Sequence, residues 1–218
     1  MAEHDDAPAL QEVRSTRERL IDAAVRLFGD RGIEATSLRA LTEAAGTNIA
    51  AVNYHFGSKE GLLRAVIDRT MRVANGERAR RLDALESLPE PPGVEELVRA
   101  FCEPGMELMD GHGVGRFLGR VIGESDASVR QIFAEQVDPV EGRFLAALGR
   151  ALPGLDRNGV HFAYTSMLGM LSLLQTGTFT EVAWPRSPST ASQSGRSEPG
   201  QTDRIVAFIT AGIRSLRE

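Results

Sequence analysis

Apolar residues recur at helical spacing along almost the whole 218-residue chain, and this pattern restricts the fold more than any other feature. Between Arg17 and Gly29, apolar side chains fall at positions i, i+1, i+4, i+7 and i+8, on one face of a helix. Short runs of β-branched residues bounded by turn residues, which are typical of strands, are missing. The sequence therefore predicts an all-α fold of about nine helices.

Glycine and proline mark the ends of the predicted helices. Gly32 and Gly46 separate three short N-terminal helices, and a longer fourth helix is expected to end before the proline-rich segment 88–93. Pro104 and Pro139 are expected to kink or split two of the later helices. The apolar spacing predicts these later helices near 94–110, 114–124, 127–151, 156–180 and 203–217.

Charge is unevenly distributed along the chain. The net charge is −5, yet residues 14–81 contain 13 basic and 8 acidic side chains. A basic segment on an acidic body is typical of a protein that faces a polyanion, although chance segregation explains the pattern equally well. Residues 1–13 contain four acidic and no basic side chains, which predicts a disordered acidic tail. Residues 184–202 are rich in Pro, Ser, Gly and Gln and predict a mobile loop.

The single cysteine, Cys102, excludes an intramolecular disulfide and a cysteine-rich zinc site. No basic start followed by an apolar run opens the sequence, so a secretory signal is not expected. The longest apolar segment, 160–179, is interrupted by polar side chains and does not predict a membrane span. We therefore expect a cytoplasmic protein with no membrane partner, no metal ion and no other cofactor.

Residues 37–59 have the layout of a helix-turn-helix: a helix, a glycine turn and a second short helix. The second helix of such a unit enters the DNA major groove, which is about 12 Å wide. Asn48 can hydrogen-bond to a base edge or a phosphate, and Ile49 and Ala50 can contact a thymine methyl group. Tyr54, His55 and Lys59 can bond backbone phosphates, and Arg39 can reach a phosphate or a guanine. An ordinary helical hairpin with exposed polar residues fits the apolar period equally well.

Two longer stretches carry a family resemblance. The chain reads TRERLIDAAVRLFGDRGIEATSLRALTEAAG and then VNYHFGSKEGLL, with many positions in the same order as the DNA-binding domain of the TetR family of bacterial repressors. The chain resembles that family over residues 16–67, roughly a quarter of its length. The resemblance implies a three-helix DNA-binding domain at 14–60 and a helical ligand-binding and dimerisation domain at 61–218.

The resemblance also implies roles for individual residues. Ser37 (or Thr36), Tyr54, His55 and Lys59 match the usual phosphate-contacting positions of the family. The positions at which members vary their base contacts are Arg39, Thr47, Asn48, Ile49, Ala50 and Asn53. The family often has Tyr where this chain has Asn53, and Val-Ser where it has Thr47-Asn48. The operator sequence therefore cannot be inferred from relatives.

The predicted helix 156–180 is apolar on almost every side, and the last helix is its natural neighbour. The resemblance implies that these two helices form a four-helix interface with their two-fold copies in a homodimer. The candidate interface residues are Phe162, Met167, Leu171, Leu174, Ile205, Phe208, Ile209 and Ile213. The central helix of a monomeric bundle would show the same apolar pattern.

Methionine and phenylalanine residues are candidates to line an apolar ligand pocket, because methionine adapts to irregular ligands. The candidates are Phe101, Met106, Met109, Phe117, Met167 and Met170, and plain core packing explains each of them too. The leading hypothesis is a repressor that binds a palindromic double-stranded DNA operator and is released by a small apolar or amphipathic effector. One alternative is a regulator without a small ligand, either controlled by a protein partner or acting as an activator. A distant alternative is an all-helical enzyme, for which no metal-ligand cluster or activated nucleophile is visible.

Overall fold

The computed structural model of the protein describes residues 15–107, 113–175 and 200–216. Within these ranges it contains nine helices and no strand, which confirms the all-α prediction. The helices are α1 (Thr16–Arg31), α2 (Leu38–Ala44), α3 (Ile49–Phe56), α4 (Lys59–Glu86), α5 (Val94–Glu107), α6 (Val114–Ile122), α7 (Ala127–Ala151), α8 (Arg157–Gln175) and α9 (Gln201–Ser215).

The described helix ends lie close to the positions that the sequence predicts, and the predicted ends at 110 and 180 lie outside the described residues. Both α5 and α7 continue through Pro104 and Pro139, so neither helix is split there. The predicted acidic tail at 1–13 and most of the predicted loop 184–202 lie outside the described residues. The last residues of that loop, 200–202, form the N-cap and first turn of α9.

Short polar residues start the N-terminal helices. Ser15 and Glu18 form a capping box at the start of α1, in which the Ser15 amide donates to the Glu18 carboxylate at 2.9 Å. Ser37 caps α2, and Ser58 caps α4. Each of these serine oxygens accepts a backbone N–H that the helix itself cannot satisfy, which explains why the helices begin where they do.

Buried apolar side chains form two cores. The N-terminal core joins α1, α2, α3 and the first half of α4 to α6 and the start of α7. The C-terminal core joins the end of α4 to α5, the rest of α7, α8 and α9. The 28-residue helix α4 therefore passes through both cores, from Leu62 in the first to Leu82 in the second.

Candidate functional site

Helices α2 and α3 form a helix-turn-helix unit. After α2 ends at Ala44, Gly46 turns the chain with a φ of +61°, a conformation that favours glycine because it has no Cβ. Asn48 caps α3, and its side-chain oxygen accepts a hydrogen bond from the Ala51 amide at 3.0 Å. Val52 is fully buried in the N-terminal core and anchors the inner face of α3, so the opposite face is left in solvent.

A close backbone approach positions the end of α3 on the start of α4. Gly57 ends α3 with a φ of +75°, and the Gly61 amide donates to the Ser58 hydroxyl at 3.0 Å. A Cβ at Gly61 would overlap the carbonyl oxygen of Phe56. The orientation of α3 relative to α4 therefore depends on glycine at position 61.

Most side chains predicted to contact DNA are accessible on α3 and at the starts of α2 and α4. The exposed ones are Ser37, Arg39, Asn48, Ile49, Ala50, Asn53 and Tyr54. Thr47, His55 and Lys59 are half-buried. Tyr54 is 85% exposed, which is unusual for an aromatic side chain and leaves its hydroxyl open to a partner. The Nζ of Lys59 donates to the Glu34 carbonyl at 3.4 Å, which holds the chain's only lysine beside the loop between α1 and α2.

Thr36 does not belong to this surface. It is fully buried, and its hydroxyl lies 2.7 Å from the Gly32 carbonyl oxygen and 3.2 Å from that of Leu27. A phosphate cannot reach this hydroxyl, so the structure contradicts the suggested phosphate contact for Thr36. Ser37 is the exposed member of the pair, and its hydroxyl accepts the Ala40 amide at 3.2 Å.

Helices α8 and α9 expose a face of small residues that carries two phenylalanines. Phe162 is 59% exposed and Phe208 is 68% exposed, although both rings are apolar. The same two helices also carry small exposed residues: Ser166 and Gly169 on α8, and Ala207, Ala211 and Gly212 on α9. We call these seven residues the α8–α9 face. Small side chains let a second pair of helices approach closely, and exposed aromatic rings favour burial against a partner.

The α8–α9 face differs in part from the predicted dimer interface. Leu174 and Ile205 are half-buried at the edge of the C-terminal core. Four other predicted interface residues are buried inside the chain's own C-terminal core: Met167, Leu171, Ile209 and Ile213. Because these four side chains pack within one protomer, the structure contradicts their assignment to an intersubunit contact.

A small cavity lies where the two cores meet. Its volume of about 20 Å³ is room for about one water molecule. Its walls come from α4, α5, α6, α7 and α8: Met71, Ala74, Arg78, Gly105, Leu118, Ile122, Phe133, Leu168 and Leu171. Apart from Arg78, the side chains that line this cavity in the described ranges are apolar.

None of the described residues among those predicted to line a pocket contributes to this wall. Four of them lie in or at the edge of the C-terminal core: Phe101, Met106, Met167 and Met170. Phe117 lies in the N-terminal core instead, where its ring stacks on Phe28 with centroids 6.3 Å apart. Met109 lies outside the described residues. The described candidates therefore do not line one common pocket.

Among the described residues, Arg78 is the one charged side chain in the wall of the cavity. It is only 5% exposed. Its Nε donates to the Phe101 carbonyl at 2.9 Å, its Nη1 donates to the Asn75 side-chain oxygen at 3.1 Å, and its guanidinium lies 4.2 Å from the centre of the Phe101 ring. Burial lowers the pKa of Arg78, because removal from water disfavours the charged form.

The sequence prediction missed Arg78, although the sequence contains a signal for it. Met71, Ala74 and Leu82 occupy the buried face of α4, and Arg78 falls on the same face by helical spacing. An arginine on an otherwise apolar stripe marks a charge that must be buried when the helix packs. The signal appears only when the apolar stripe of α4 is followed beyond the helix-turn-helix segment 37–59.

Cys102 has no features of a reactive thiol. It is fully buried in the C-terminal core, and burial raises the pKa of its thiol to about 12. Among the described residues, no group of three or more His, Cys, Asp or Glu side chains is arranged to hold a metal ion. None of the helices in the described ranges is long and apolar enough to span a membrane.

Comparison with protein families gives two matches that together cover most of the chain. The model described as "Bacterial regulatory proteins, tetR family" matches residues 20–66. The model described as "Tetracyclin repressor-like, C-terminal domain" matches residues 99–212, which is more than half of the chain.

Curated relatives match over parts of their length. The HTH-type transcriptional dual regulator CecR of Shigella flexneri is 31% identical over 152 residues, or 65% of this chain and 66% of that protein. The HTH-type transcriptional repressor ComR of Escherichia coli (strain K12) is 47% identical over 53 residues, or 24% of this chain and 25% of that protein. The chain thus spans just under two thirds of the first relative and a quarter of the second.

Solved structures match over nearly the whole chain. The fatty acid degradation regulator FadR from Bacillus halodurans has a TM-score of 0.65 at 16% identity, covering 92% of this chain and 97% of that chain. The TetR family transcriptional regulator PfmR from Thermus thermophilus has a TM-score of 0.61 at 22% identity, covering 94% and 97%. FadR from Bacillus subtilis, solved in complex with stearoyl-CoA, has a TM-score of 0.61 at 16% identity, covering 92% and 97%. At these identities the likeness shows the fold.

Proposed function

Because the chain belongs to the TetR family of bacterial regulatory proteins, we propose that it is a cytoplasmic, sequence-specific DNA-binding transcriptional regulator. It acts as a homodimeric repressor on a palindromic operator, and a small apolar or amphipathic effector releases it. The observation that carries this proposal is the exposed outer face of α3, a helix whose inner face is anchored in the N-terminal core by Val52.

The construction of α3 suits insertion into the major groove. Its inner side is anchored by Val52, and Gly46 and Gly57 bound the helix at its two ends. Its outer side presents Ile49, Asn53 and other exposed residues that can contact base edges. Tyr54, at 85% exposure, is available to a backbone phosphate. A rigid helix with an open polar and small-residue face binds DNA with little loss of conformational freedom.

A two-fold dimer supplies a second copy of α3, the helix that we propose to contact the bases. One eight-residue helix gives little affinity alone, and two-fold symmetry places two such helices about one DNA turn, roughly 34 Å, apart. The α8–α9 face supports this assembly, because its two exposed phenylalanines and its small residues suit burial against a second pair of helices. A second copy of this chain is therefore the partner that we propose for the α8–α9 face.

Effector release operates through α4 and α6, which connect the cavity to the DNA-binding unit. Leu118 and Ile122 of α6 line the cavity, and the neighbouring Phe117 packs into the N-terminal core. An ion pair of 2.8 Å between Arg116 and Asp30 also ties α6 to α1. An effector that widens the cavity by displacing α6 or α4 moves the two copies of α3 to a spacing that does not fit the operator.

Titration onto DNA tests the proposal. The purified protein is mixed with the DNA just upstream of its own gene and, separately, with a scrambled duplex, at two salt concentrations. We expect tighter binding to the native DNA and a steep loss of affinity as salt rises. Tyr54→Ala should weaken binding without loss of fold, and Val73→Ser, which changes a 60% exposed side chain on α4, should not. Absence of binding to every duplex at low salt would overturn the proposal.

The small cavity favours a second candidate, a regulator of the same DNA-binding type that is controlled by a protein partner. A volume of about 20 Å³ does not admit an effector unless the helices around it separate. Ligand-induced protection separates the candidates. A rise in Tm with a small amphipathic compound that also releases DNA supports the effector, because a ligand that binds only the folded state stabilises it.

A further inference from the structure

The buried guanidinium of Arg78 is positively charged and has no carboxylate partner among the described residues. No Asp or Glu oxygen in the described ranges lies within 4.0 Å of it, and its hydrogen bonds go to a backbone carbonyl and an amide oxygen. Buried charges in proteins are normally paired, because an unpaired one loses its hydration without compensation. Arginine stays protonated in such a site, so it does not escape this cost by losing its proton.

A neighbouring arginine on the same helix, Arg81, has carboxylate partners that Arg78 lacks among the described residues. Arg81, one turn further along α4, pairs with three carboxylates: Glu77, Glu103 and Glu107. The Arg81 side chain is 21% exposed and lies at the outer edge of the packing between α4 and α5. The carboxylates of this region thus surround the arginine that is nearer to water. The arginine in the cavity wall has only neutral groups around it among the described residues.

Gly105 lets the Arg78 and Leu171 side chains approach the backbone of α5 closely. A Cβ at Gly105 would lie 3.2 Å from Nη2 of Arg78 and 2.7 Å from Cδ2 of Leu171. The hydrogen bonds of Arg78 to Phe101 and Asn75 use Nε and Nη1. The third nitrogen, Nη2, is the one that lies beside Gly105. The rest of the wall, including Leu118 and Phe133, is apolar. A cation in the wall of an otherwise apolar cavity is complementary to an anionic head group on an apolar body.

We propose that the effector of this regulator is an apolar carboxylate whose carboxyl group pairs with Arg78 inside the widened cavity. This inference rests on the proposed effector-responsive function and names its ligand class. A carboxylate is favoured over a phosphate because it is small and planar, and the cavity offers only about 20 Å³ before it expands. Its apolar body lies among the side chains of α4, α6, α7 and α8 that line the cavity.

Paired ligands that differ only in the head group test the proposal on the full chain without DNA. The dissociation constants of octanoate, 1-octanol and octyl phosphate are measured by calorimetry. We expect octanoate to bind about tenfold to a hundredfold more tightly than 1-octanol, the range for a charge-assisted hydrogen bond. Equal affinity for octanoate and 1-octanol, or tighter binding of octyl phosphate, would overturn the assignment. These comparisons require no variant.

Variants then locate the preference at Arg78. In Arg78→Gln the affinity ratio of octanoate to 1-octanol should fall to near one, and in Arg78→Lys it should fall in part because the planar fork is lost. Arg130→Gln, which removes an exposed arginine on α7, should keep the full ratio. If the ratio survives in Arg78→Gln or Arg78→Lys unchanged, the carboxylate binds elsewhere and the proposal is wrong.

Two further results separate this proposal from its alternatives. A variant of Asp110, which lies outside the described residues, tests for a counter-ion within the chain. If Asp110→Asn lowers the Tm and this loss disappears in the Arg78→Gln background, Arg78 is already paired and the inference fails. If octanoate and 1-octanol release the operator equally well, the regulator function stands and only the ligand class is wrong.

Discussion

The ring of Phe117 in α6 stacks on the ring of Phe28 in α1, with the two centroids 6.3 Å apart and the planes inclined by 27°. Both side chains are fully buried. A residue from the C-terminal half of the chain therefore completes the core of the DNA-binding unit. The next residue along α6, Leu118, lines the cavity. A single turn of α6 therefore contacts both the cavity and the core of the DNA-binding unit.

Phe117→Ala should strongly destabilise the protein. Removal of a buried phenylalanine costs about 3–5 kcal/mol, because apolar surface is lost and a cavity remains. The free energy of unfolding is measured by urea denaturation, with Leu88→Ala as the control for an apolar side chain that is 54% exposed. A loss for Phe117→Ala no larger than that for Leu88→Ala would show that α6 does not support the N-terminal core.

Two glycines on α4 should respond in opposite ways to alanine. Gly61→Ala should lower both stability and operator affinity, because its Cβ would overlap the Phe56 carbonyl at the end of α3. Gly76→Ala should raise stability by about 0.5–1 kcal/mol, because Gly76 is exposed, has no atom within 4 Å of the added Cβ and alanine favours a helix. Thermal unfolding and DNA titration of both variants check this pair. A Gly61→Ala variant that binds operator normally would contradict the close approach.

Replacement of Lys59 should reduce the salt dependence of operator binding. If each subunit uses Lys59 on one phosphate, Lys59→Met should make the slope of log K against log salt less steep by about 0.9 per subunit. Binding is measured at four or more salt concentrations. Arg130→Gln is the control, because it removes an exposed charge outside the DNA-binding unit. An unchanged slope in Lys59→Met would remove Lys59 from the phosphate contacts.

Phe208→Ser should shift the protein from dimer to monomer. Phe208 is 68% exposed in one protomer, so its loss should leave the fold intact and weaken only a contact with a second copy. A central aromatic residue contributes about 2 kcal/mol or more to an interface, or roughly a thirtyfold change in the dimer dissociation constant. Sedimentation equilibrium measures this constant. Val73→Ser, a change at another exposed apolar residue, should leave it unaltered. A similar change in both variants would argue against the α8–α9 face.

Glu77 should contribute to stability above its pKa and lose that contribution in acid. Hydrogen bonds from Arg80 and Arg81 lower the pKa of Glu77 from 4.5 to about 2. The folded state therefore holds the ionised carboxylate more strongly than the unfolded state does, so the stabilisation is present above pH 4.5 and is lost as the pH falls toward 2. Glu77→Gln should have a lower Tm than the wild-type protein at about pH 6, and the difference should shrink as the pH approaches 2. Glu90→Gln, a change at an exposed carboxylate before α5, is the control. A pH-independent difference for Glu77→Gln would exclude this titration as the cause.

The helix-turn-helix could be predicted in detail because its determinants are local. A left-handed turn requires glycine at 46, helix starts require short polar residues such as Asn48 and Ser58, and the apolar period identifies Val52 as the inward residue. These requirements act between residues a few positions apart, so they can be read along the chain. The burial of Thr36 beside the exposed Ser37 could not be decided in this way, because either residue satisfies the local cap.

The neighbour that covers each apolar face is fixed only when the helices pack. Periodicity and capping residues were enough to predict the nine described helices, and the boundaries that lie in the described ranges, to within a few residues. They did not show that Phe117 completes the N-terminal core or that Met167 and Ile209 pack inside one protomer. They also did not show that Arg78 is buried where the two cores meet. Helical periodicity encodes which side of a helix avoids water but carries no information about the partner. That partner is chosen by long-range packing, in which residues far apart in sequence compete to fill the same space.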